Sequence, residues 1–352
     1  LNNEFYQLLK QTISVQGFKC SHDSKKLFSA INSLEKFKRS EQKPIAEAVD
    51  LAYTGQYFFA ELMTQLLQHL QRLTGSNNLS LGGGCGLNSA FNGQIKSRTD
   101  FDQVFIPSAP ADDGTALGAA WLALHKIQPE LSFTTDNKIL SPYLGSVISD
   151  DAVKDLIKHN RSLNIQHCPD SICQQTATLL AKGQLIGWIQ GRAEFGPRAL
   201  GNRSILADPR TAETKDKINQ NIKFRESFRP FAPSVLDDYA DQFFELYHES
   251  PYMDKTLRIT PGWQALIAAV CHVDGTGRLQ TVKEEWNPRF YALIHHFYQY
   301  TDMPMLLNTS FNIMGKPLVH SLEDALAVFL TSGLDVLVVN DYLICKPDHD
   351  AF

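Results

Sequence analysis

Arginine and glycine alternate through QGRAEFGPRALGNRSILADPR, residues 190–210, in a pattern suited to holding a phosphate or a carboxylate. Arg192, Arg198 and Arg203 are interleaved with Gly191, Gly196 and Gly201. A guanidinium offers planar, paired donors that match an oxyanion two at a time. Glycine lets the main chain approach a ligand closely. Glu194 is placed to orient one of the guanidiniums. The plainer alternative is a solvated salt-bridge face, but such faces do not combine Arg with Gly, Pro, Phe and Leu so densely. A second cationic run follows in KFRESFRPFAPS, residues 223–234. Lys223, Arg225 and Arg229 supply charge, Pro230 and Pro233 fix an extended path, and Phe224, Phe228 and Phe231 anchor it. From Arg192 to Arg229 there are nine Lys/Arg and five Asp/Glu, a local balance of +4 in a chain of net charge −5, so the remainder carries −9. A basic patch in an acidic chain points to a small anionic ligand rather than a polymer.

Four further segments carry polar or glycine-rich chemistry. In GGGCGLN (82–88), Gly83 and Gly84 let the backbone approach a phosphate where a helix begins, and Asn88 can hold an oxygen or cap that helix. In ADDGTALG (111–118), one of Asp112 and Asp113 can face a cation while the other caps a helix; spacing alone does not choose between metal and cap. In VDGTGRLQTV (273–282), Arg278 follows a glycine turn that reads as a hairpin. In LLNTSFNIMGKPLV (306–319), an apolar strand ends in Asn308, Thr309, Ser310 and Asn312, uncharged groups that suit a phosphate edge or a carbonyl. His295 and His296 read as structural, since adjacent positions on a helix cannot share a metal. Spacing does not show whether His272 or His320 reaches a pocket. There is no GxSxG elbow and no GxxxxGK[ST] loop.

These segments need a scaffold. Pro44 suits the start of a long helix over 44–73, with Val49, Tyr53, Ala60, Met63, Leu67 and Leu70 on one face and Gly75 as its stop. Strands are expected at 78–81 and 104–106, a helix near 87–97, and an apolar helix with small residues for close packing at 115–127. Residues 129–147 read as a connector, broken by Pro129, Pro142 and Gly145, which places a domain boundary near 140. Beyond it, helices are expected over 150–159, 170–182, 213–222, 286–301 and 322–332. Strands are expected over 183–191, 268–273, 278–282, 304–307 and 335–339. Strands and helices mix without a strict βαβ alternation, so this second domain reads as a mixed α/β sheet.

Length and composition bound the rest. The chain has 352 residues, room for two domains. With 43% hydrophobic and 20% charged residues, disorder, collagen and coiled coil do not describe it. No apolar run is long enough for a membrane span, and the opening LNNEFYQLL has no basic n-region of an export signal. The six cysteines at 20, 85, 168, 173, 271 and 345 include no CxxC, and the eleven histidines include no HxxxH. They read as reduced thiols of a cytoplasmic protein without a self-contained zinc site. No nucleic-acid or membrane partner is expected, and nothing fixes an oligomeric state.

Taken in order, GGGCGLN, PADDGTALGAA, GRAEFGPRALGNRSILADPR, KFRESFRPFAPS, DGTGRLQTV and LNTSFNIMGKP resemble the NodU/CmcH family of ATP-dependent O-carbamoyltransferases, over nearly the whole chain from about residue 45. The resemblance implies part of an actin/Hsp70-like (ASKHA) domain over 1–140, followed by a YrdC-like mixed α/β domain over 141–352. It implies that the second domain makes carbamoyl adenylate from carbamoyl phosphate and ATP, and that the first moves the carbamoyl group to a hydroxyl of a small molecule or glycan. Arg198, Arg203 and Lys223 would be catalytic. Arg192, Arg229, Arg278, Asn308 and Ser310 would bind nucleotide or carbamoyl phosphate. Gly83, Gly84 and Asn88 would face the adenylate in the transferase domain, and Asp112 would be a metal ligand. The family's first domain also carries an earlier phosphate-type loop and an HxxxH pair. This chain has neither, so it would hold only the second half of that domain, and a divalent Fe or Mg is expected only with the absent half. Adenylate formation would then be complete in this chain and transfer would not. The alternative is a nucleotide-binding remnant or scaffold without catalysis.

Overall fold

The computed structural model describes residues 1–22, 24–130, 141–160 and 162–347. The chain forms two compact units, one of residues 1–80 with 94–105, the other of 81–93 with 106–352. The boundary expected near 140 lies outside the described residues. Among these, no helix is long and apolar enough to cross a membrane.

In the first unit, Val49–Thr74 is one long helix. It ends where Gly75, at φ 64°, takes the left-handed conformation and returns its N–H to the Gln71 carbonyl. The expected apolar face is half realised: Ala60 and Leu67 are buried, whereas Val49 and Tyr53 are exposed. Strands β1 (Ile13–Gln16) and β2 (Lys19–His22) pair antiparallel. Strands β3 (Asn78–Ser80) and β4 (Gln103–Phe105) pair in parallel.

The second unit is a mixed α/β structure on a nine-stranded sheet. Its strands are β5 (Asn164–His167), β6 (Ile186–Ile189), β7 (Arg203–Ala207), β8 (Ala232–Leu236), β9 (Lys255–Arg258), β10 (Thr276–Val282), β11 (Met305–Ser310), β12 (Val336–Val339) and β13 (Tyr342–Cys345). They lie in the order β5-β13-β12-β6-β7-β11-β8-β10-β9. Only β12–β6 and β10–β8 are parallel pairs. The central strands are apolar and buried: Ile186, Trp188 and Ile189 of β6, and all of β12, are inaccessible. Helices Ile172–Ala181 and Pro288–Thr301 pack on each other, and Phe290, Leu293, Ile294 and Phe297 of the latter enter the main core.

Three local expectations differ from what is observed. The apolar run 268–273 is not a strand. It is folded into turns, with Val270 and Cys271 both donating to the Ile267 carbonyl, and Ile267, Ala269 and Val270 are buried that way. A short apolar run without alternation does not distinguish the two outcomes. The turn at 273–276 opens no hairpin, because the antiparallel neighbour of β10 is β9. The helix expected near 87–97 is broken into single turns at Ser89–Asn92 and Ile95–Arg98. The apolar helix Thr115–Ile127 is formed as expected but has no buried residue; Leu117, Leu122 and Ile127 are exposed.

Glycine sets one decisive approach. Gly196, at φ 130°, lies so close to the 106–110 loop that a Cβ would sit 2.2 Å from the Ser108 carbonyl oxygen. Both the backbone conformation and the space exclude a side chain. Gly196→Ala is therefore expected to destabilise this unit by about 2 kcal/mol or more, read as a lower midpoint in urea unfolding. An unchanged midpoint would contradict the packing of the 195–201 loop described here.

Candidate anion site

Side chains alternate across a strand, and register settles which face each candidate occupies. Ser310 lies opposite Ser204, Asn308 opposite Leu206 and Ala232, and Ser234 beside Gln280. One sheet face thus carries Ser204, Asn308, Ser310, Ser234, Arg278 and Gln280. Polar residues fill the middle of a buried sheet, and their bonds show what lies over them. Asn308 Nδ2 donates to Ser234 Oγ and Gln280 Oε1 at 3.0 Å, and to the Ala199 carbonyl at 3.3 Å. Gln280 Nε2 donates to the Leu200 carbonyl at 2.9 Å. The PRALGN turn is therefore held on this face by its own carbonyls. Asn308 Oδ1 is buried without a hydrogen-bond partner among the described residues.

Glu194 fixes the same turn from within. Its Oε1 accepts the main-chain N–H of Leu200, Asn202 and Arg203 at 2.7, 2.8 and 3.2 Å. It pins backbone rather than orienting a guanidinium by hydrogen bonding, as the sequence suggested.

Three guanidiniums converge on this face. Arg278 projects from β10, and its Nε is buried with no partner among the described residues. Burial, then the positive charges of Arg198 and Arg225, hold it down to about 9. Arg198 is lowered by burial, and its Nη2 makes a long hydrogen bond to the Leu87 carbonyl at 3.4 Å. Arg225 is aimed by Asn219, whose Oδ1 accepts from Nε at 2.8 Å, and by stacking 4.8 Å over the Phe231 ring. Burial and Arg229 bring Arg225 to about 10, with Glu226 opposing. The sequence offered Arg225 as one cation of the clasp but did not place it in the site; the Asn219 contact that aims it has no sequence signal. Arg229 itself is half exposed and lies 3.8 Å from Glu226.

Lys223 closes the group from the end of β11. Its Nζ donates to the Ser310 and Asn312 carbonyls, to Asn312 Oδ1 at 2.8 Å and, at 3.3 Å, to Ser310 Oγ. All four acceptors are neutral. Burial, with the charge of Arg225, lowers Lys223 to about 7.

Two predicted arginines lie elsewhere. Arg203 is odd-numbered on β7, so it points to the opposite sheet face from Asn308 and Arg278. It is inaccessible, and its Nη atoms donate to the carbonyls of Gln190, Asn202, Ser146 and Gly191 at 2.8–3.1 Å. Its Nε, like that of Arg278, is buried without a partner among the described residues, but its other donors are spent on main chain, so the structure places Arg203 as a clamp apart from the group expected to contain it. Arg192 is exposed, with Nη2 on the Leu144 carbonyl at 2.9 Å; it does not join the group.

The glycine turn approaches this region through Leu87, the carbonyl that Arg198 touches. Gly83 and Gly84 are exposed, and the Gly83 N–H is spent on the Pro110 carbonyl. Asn88 caps a helix of only four residues, Ser89–Asn92, so no helix N-terminus of useful length faces a phosphate. Asp112 is exposed in the turn Asp112–Gly114, while Asp113 Oδ1 accepts from the Gly114 N–H. Among the described residues no three His, Cys, Asp or Glu side chains gather to hold a metal. The donor set of the described residues, with Asp112 alone and exposed, does not fit the implied divalent cation.

Comparison with known proteins follows the same segments. A family model described as Carbamoyltransferase C-terminus matches residues 177–346, and one described as Carbamoyltransferase N-terminus matches residues 3–121. The chain belongs to the NodU-type carbamoyltransferase family. Nodulation protein NolNO of Sinorhizobium fredii is 43% identical over 84% of this chain and 44% of its own length. Nodulation protein U of Rhizobium tropici is 35% identical over 81% of this chain and 47% of its own. The chain thus spans about half the length of these curated relatives. A solved structure of HypF in its phosphate- and nucleotide-bound form aligns with a TM-score of 0.35 and 14% identity over 57% of this chain and 26% of that one, too distant to place any residue.

The two kinds of arginine respond oppositely to removal. Arg203→Met removes four hydrogen bonds and, among the described residues, the only side-chain donors on the Gln190 and Gly191 carbonyls, while Asn202 and Ser146 keep main-chain donors, and it is expected to cost roughly 3 kcal/mol. Arg278→Met removes an unpartnered charge repelled by two others and is expected to leave unligated stability unchanged or raised. Urea unfolding without anions checks both. Equal losses would contradict the division between clamp and ligand arginines.

Proposed function

We propose that this chain carries the adenylate-forming site of an ATP-dependent O-carbamoyltransferase. The observation that supports it is the convergence of Arg198, Arg225 and Arg278, with no carboxylate among the charges acting on Arg278. Phosphoryl and adenylyl transfer depend on positioning and charge stabilisation more than on a nucleophilic side chain. Carbamoyl phosphate would lose its phosphate to water, and the carbamate oxygen released would attack the α-phosphorus of ATP. Pyrophosphate leaves and carbamoyl adenylate remains. Arg198, Arg225 and Arg278 would bind the phosphate oxygens, and Lys223 would meet the charge that grows as pyrophosphate departs. Asn308 and Ser310 would lie beneath the bound group, with Asn308 Oδ1 as a free acceptor. The acceptor hydroxyl, on a small molecule or a glycan, would be carbamoylated in the first domain.

The test is pyrophosphate release from ATP, dependent on carbamoyl phosphate. Arg278→Met and Arg198→Met are each expected to reduce it by about a hundredfold or more while unfolding cooperatively. Wild-type release in both variants would sink the assignment. ATP binding without any release in the unaltered chain would instead support a nucleotide-binding module.

Lys223 gives a pH dependence with a definite sign. An anion favours the ammonium, so affinity for sulfate, whose own charge is constant in this range, is expected to be highest below pH 6 and to fall as pH rises through about 7. Titration calorimetry from pH 6 to 8.5 checks this. Lys223→Met is expected to bind more weakly at low pH and to lose that step.

A further inference from the structure

His272 precedes β10 and has no part in the site as described so far. Its ring is tied to the strand by a short chain of hydrogen bonds. Thr276 Oγ1 lies 2.7 Å from Asp274 Oδ1 and 3.0 Å from His272 Nδ1. Asp274 Oδ1 also accepts the Thr276 main-chain N–H at 3.1 Å. A hydroxyl has one proton, and an ionised carboxylate only accepts. The Thr276 proton therefore goes to Asp274, and its oxygen must accept from His272. That fixes the proton of a neutral imidazole on Nδ1 and leaves Nε2 as a bare lone pair. The backbone supports the arrangement: His272 N–H donates to the Thr276 carbonyl at 2.8 Å, and Gly275 N–H donates to the His272 carbonyl at 3.0 Å. Three charged groups act on the ring: Asp274 favours imidazolium, while Arg278 and Lys215 oppose it. With burial, the outcome is a ring held down to about 4, neutral at physiological pH.

Strand parity places this acceptor. Thr276, Arg278 and Gln280 alternate on one face of β10, so the imidazole bonded to Thr276 neighbours Arg278 on the face where the guanidiniums converge. Beside Arg278 the site is rich in donors: three guanidiniums offer N–H groups and accept nothing, and the free acceptor Asn308 Oδ1 belongs to β11, two strands away from β10 in the sheet. Carbamoyl phosphate carries both chemistries. Its phosphate needs donors, and its amide, one bridging oxygen from phosphorus, needs an acceptor. We infer that His272 is a fixed-tautomer acceptor that reads the amide N–H of a carbamoyl group whose phosphate lies on Arg278. This rests on the anion-site reading above and adds to it a residue that selects the substrate. Acetyl phosphate, with a methyl in place of the amino group, is the discriminating analogue.

The experiment measures the affinities of inorganic phosphate, acetyl phosphate, carbamoyl phosphate and ATP for the full chain at pH 7.5. The unaltered chain is expected to prefer carbamoyl over acetyl phosphate by about tenfold or more, as a site built to bond an N–H should. In His272→Phe that preference is expected to collapse to about twofold or less, with His272→Gln, which retains an acceptor, in between. Nitrogen NMR of histidine-labelled protein reads the tautomer directly. His272 should be protonated at Nδ1 and bare at Nε2, and Thr276→Val should mix the two forms. Nε2 protonation, equal affinity for the two acyl phosphates, or a preference that survives in His272→Phe each overturns the inference. A selective loss of ATP affinity in His272→Phe assigns Nε2 to a nucleotide hydroxyl and overturns the amide reading. If inorganic phosphate does not bind the unaltered chain, the anion site itself falls, and the inference with it.

Discussion

The like charges of Arg198 and Arg225 acting on the buried Arg278 are the constraint that the loops of the second unit must hold against. Each guanidinium has lost water, and at Arg278 the charges that act have its own sign. An isolated protein interior does not favour such a grouping, because unpaired buried charge is costly. A frame that cannot relax keeps it. Glu194 holds three main-chain amides of the turn bearing Arg198, Asn308 and Gln280 hold its carbonyls, and Asn219 with Phe231 holds Arg225. On the proposed reading, repulsion held in a rigid frame would become attraction for a multiply charged anion. The favourable change is larger because little side-chain freedom is left to lose.

The same motif contains an arginine with the opposite task, and strand geometry separates the two. Arg203 enters β7 on the face away from Asn308, where four carbonyls take its donors. It ties Gln190, Gly191 and Ser146 to the strand that follows the turn. A guanidinium used in this way supplies directional bonds rather than net charge toward a ligand. Arg203 and Arg198 are thus parts of one device, since the turn that bears Arg198 is anchored at its far end by Arg203.

Much of this was legible in the chain. The Arg–Gly alternation at 190–210 and the cationic clasp at 223–234 pointed to Arg198 and Lys223, because crowding cations onto glycine- and proline-shaped loops has few uses besides anion capture; Arg278, on a turn that could equally face solvent, joined them only through the family resemblance. The helices 115–127, 150–159 and 322–332 followed from apolar spacing. What stayed hidden depends on relations across the fold. Arg198 and Arg203 are five residues apart on either side of Gly201, and only the start of β7 decides which face each one sees. Arg225 looked no different from Arg229 until Asn219 drew one inward and Glu226 kept the other near the surface. The apolar run at 268–273 fits a strand or a buried turn equally well. GGGCGLN promised a helix N-terminus, but Asn88 caps only one turn of helix.

Positive charge alone would make this face indiscriminate, since phosphate is common to many metabolites. Its neutral polar groups supply the contrast. Lys223 is met only by carbonyl, amide and hydroxyl oxygens, so its charge follows pH and occupancy instead of being fixed by a carboxylate. Asn308 Oδ1 is buried without a donor, so a ligand N–H or O–H that reaches it restores a bond the protein alone leaves unmade. Selectivity on such a surface comes from groups left waiting: unpartnered donors require an anion, and unpartnered acceptors require that the anion carry a hydrogen to give.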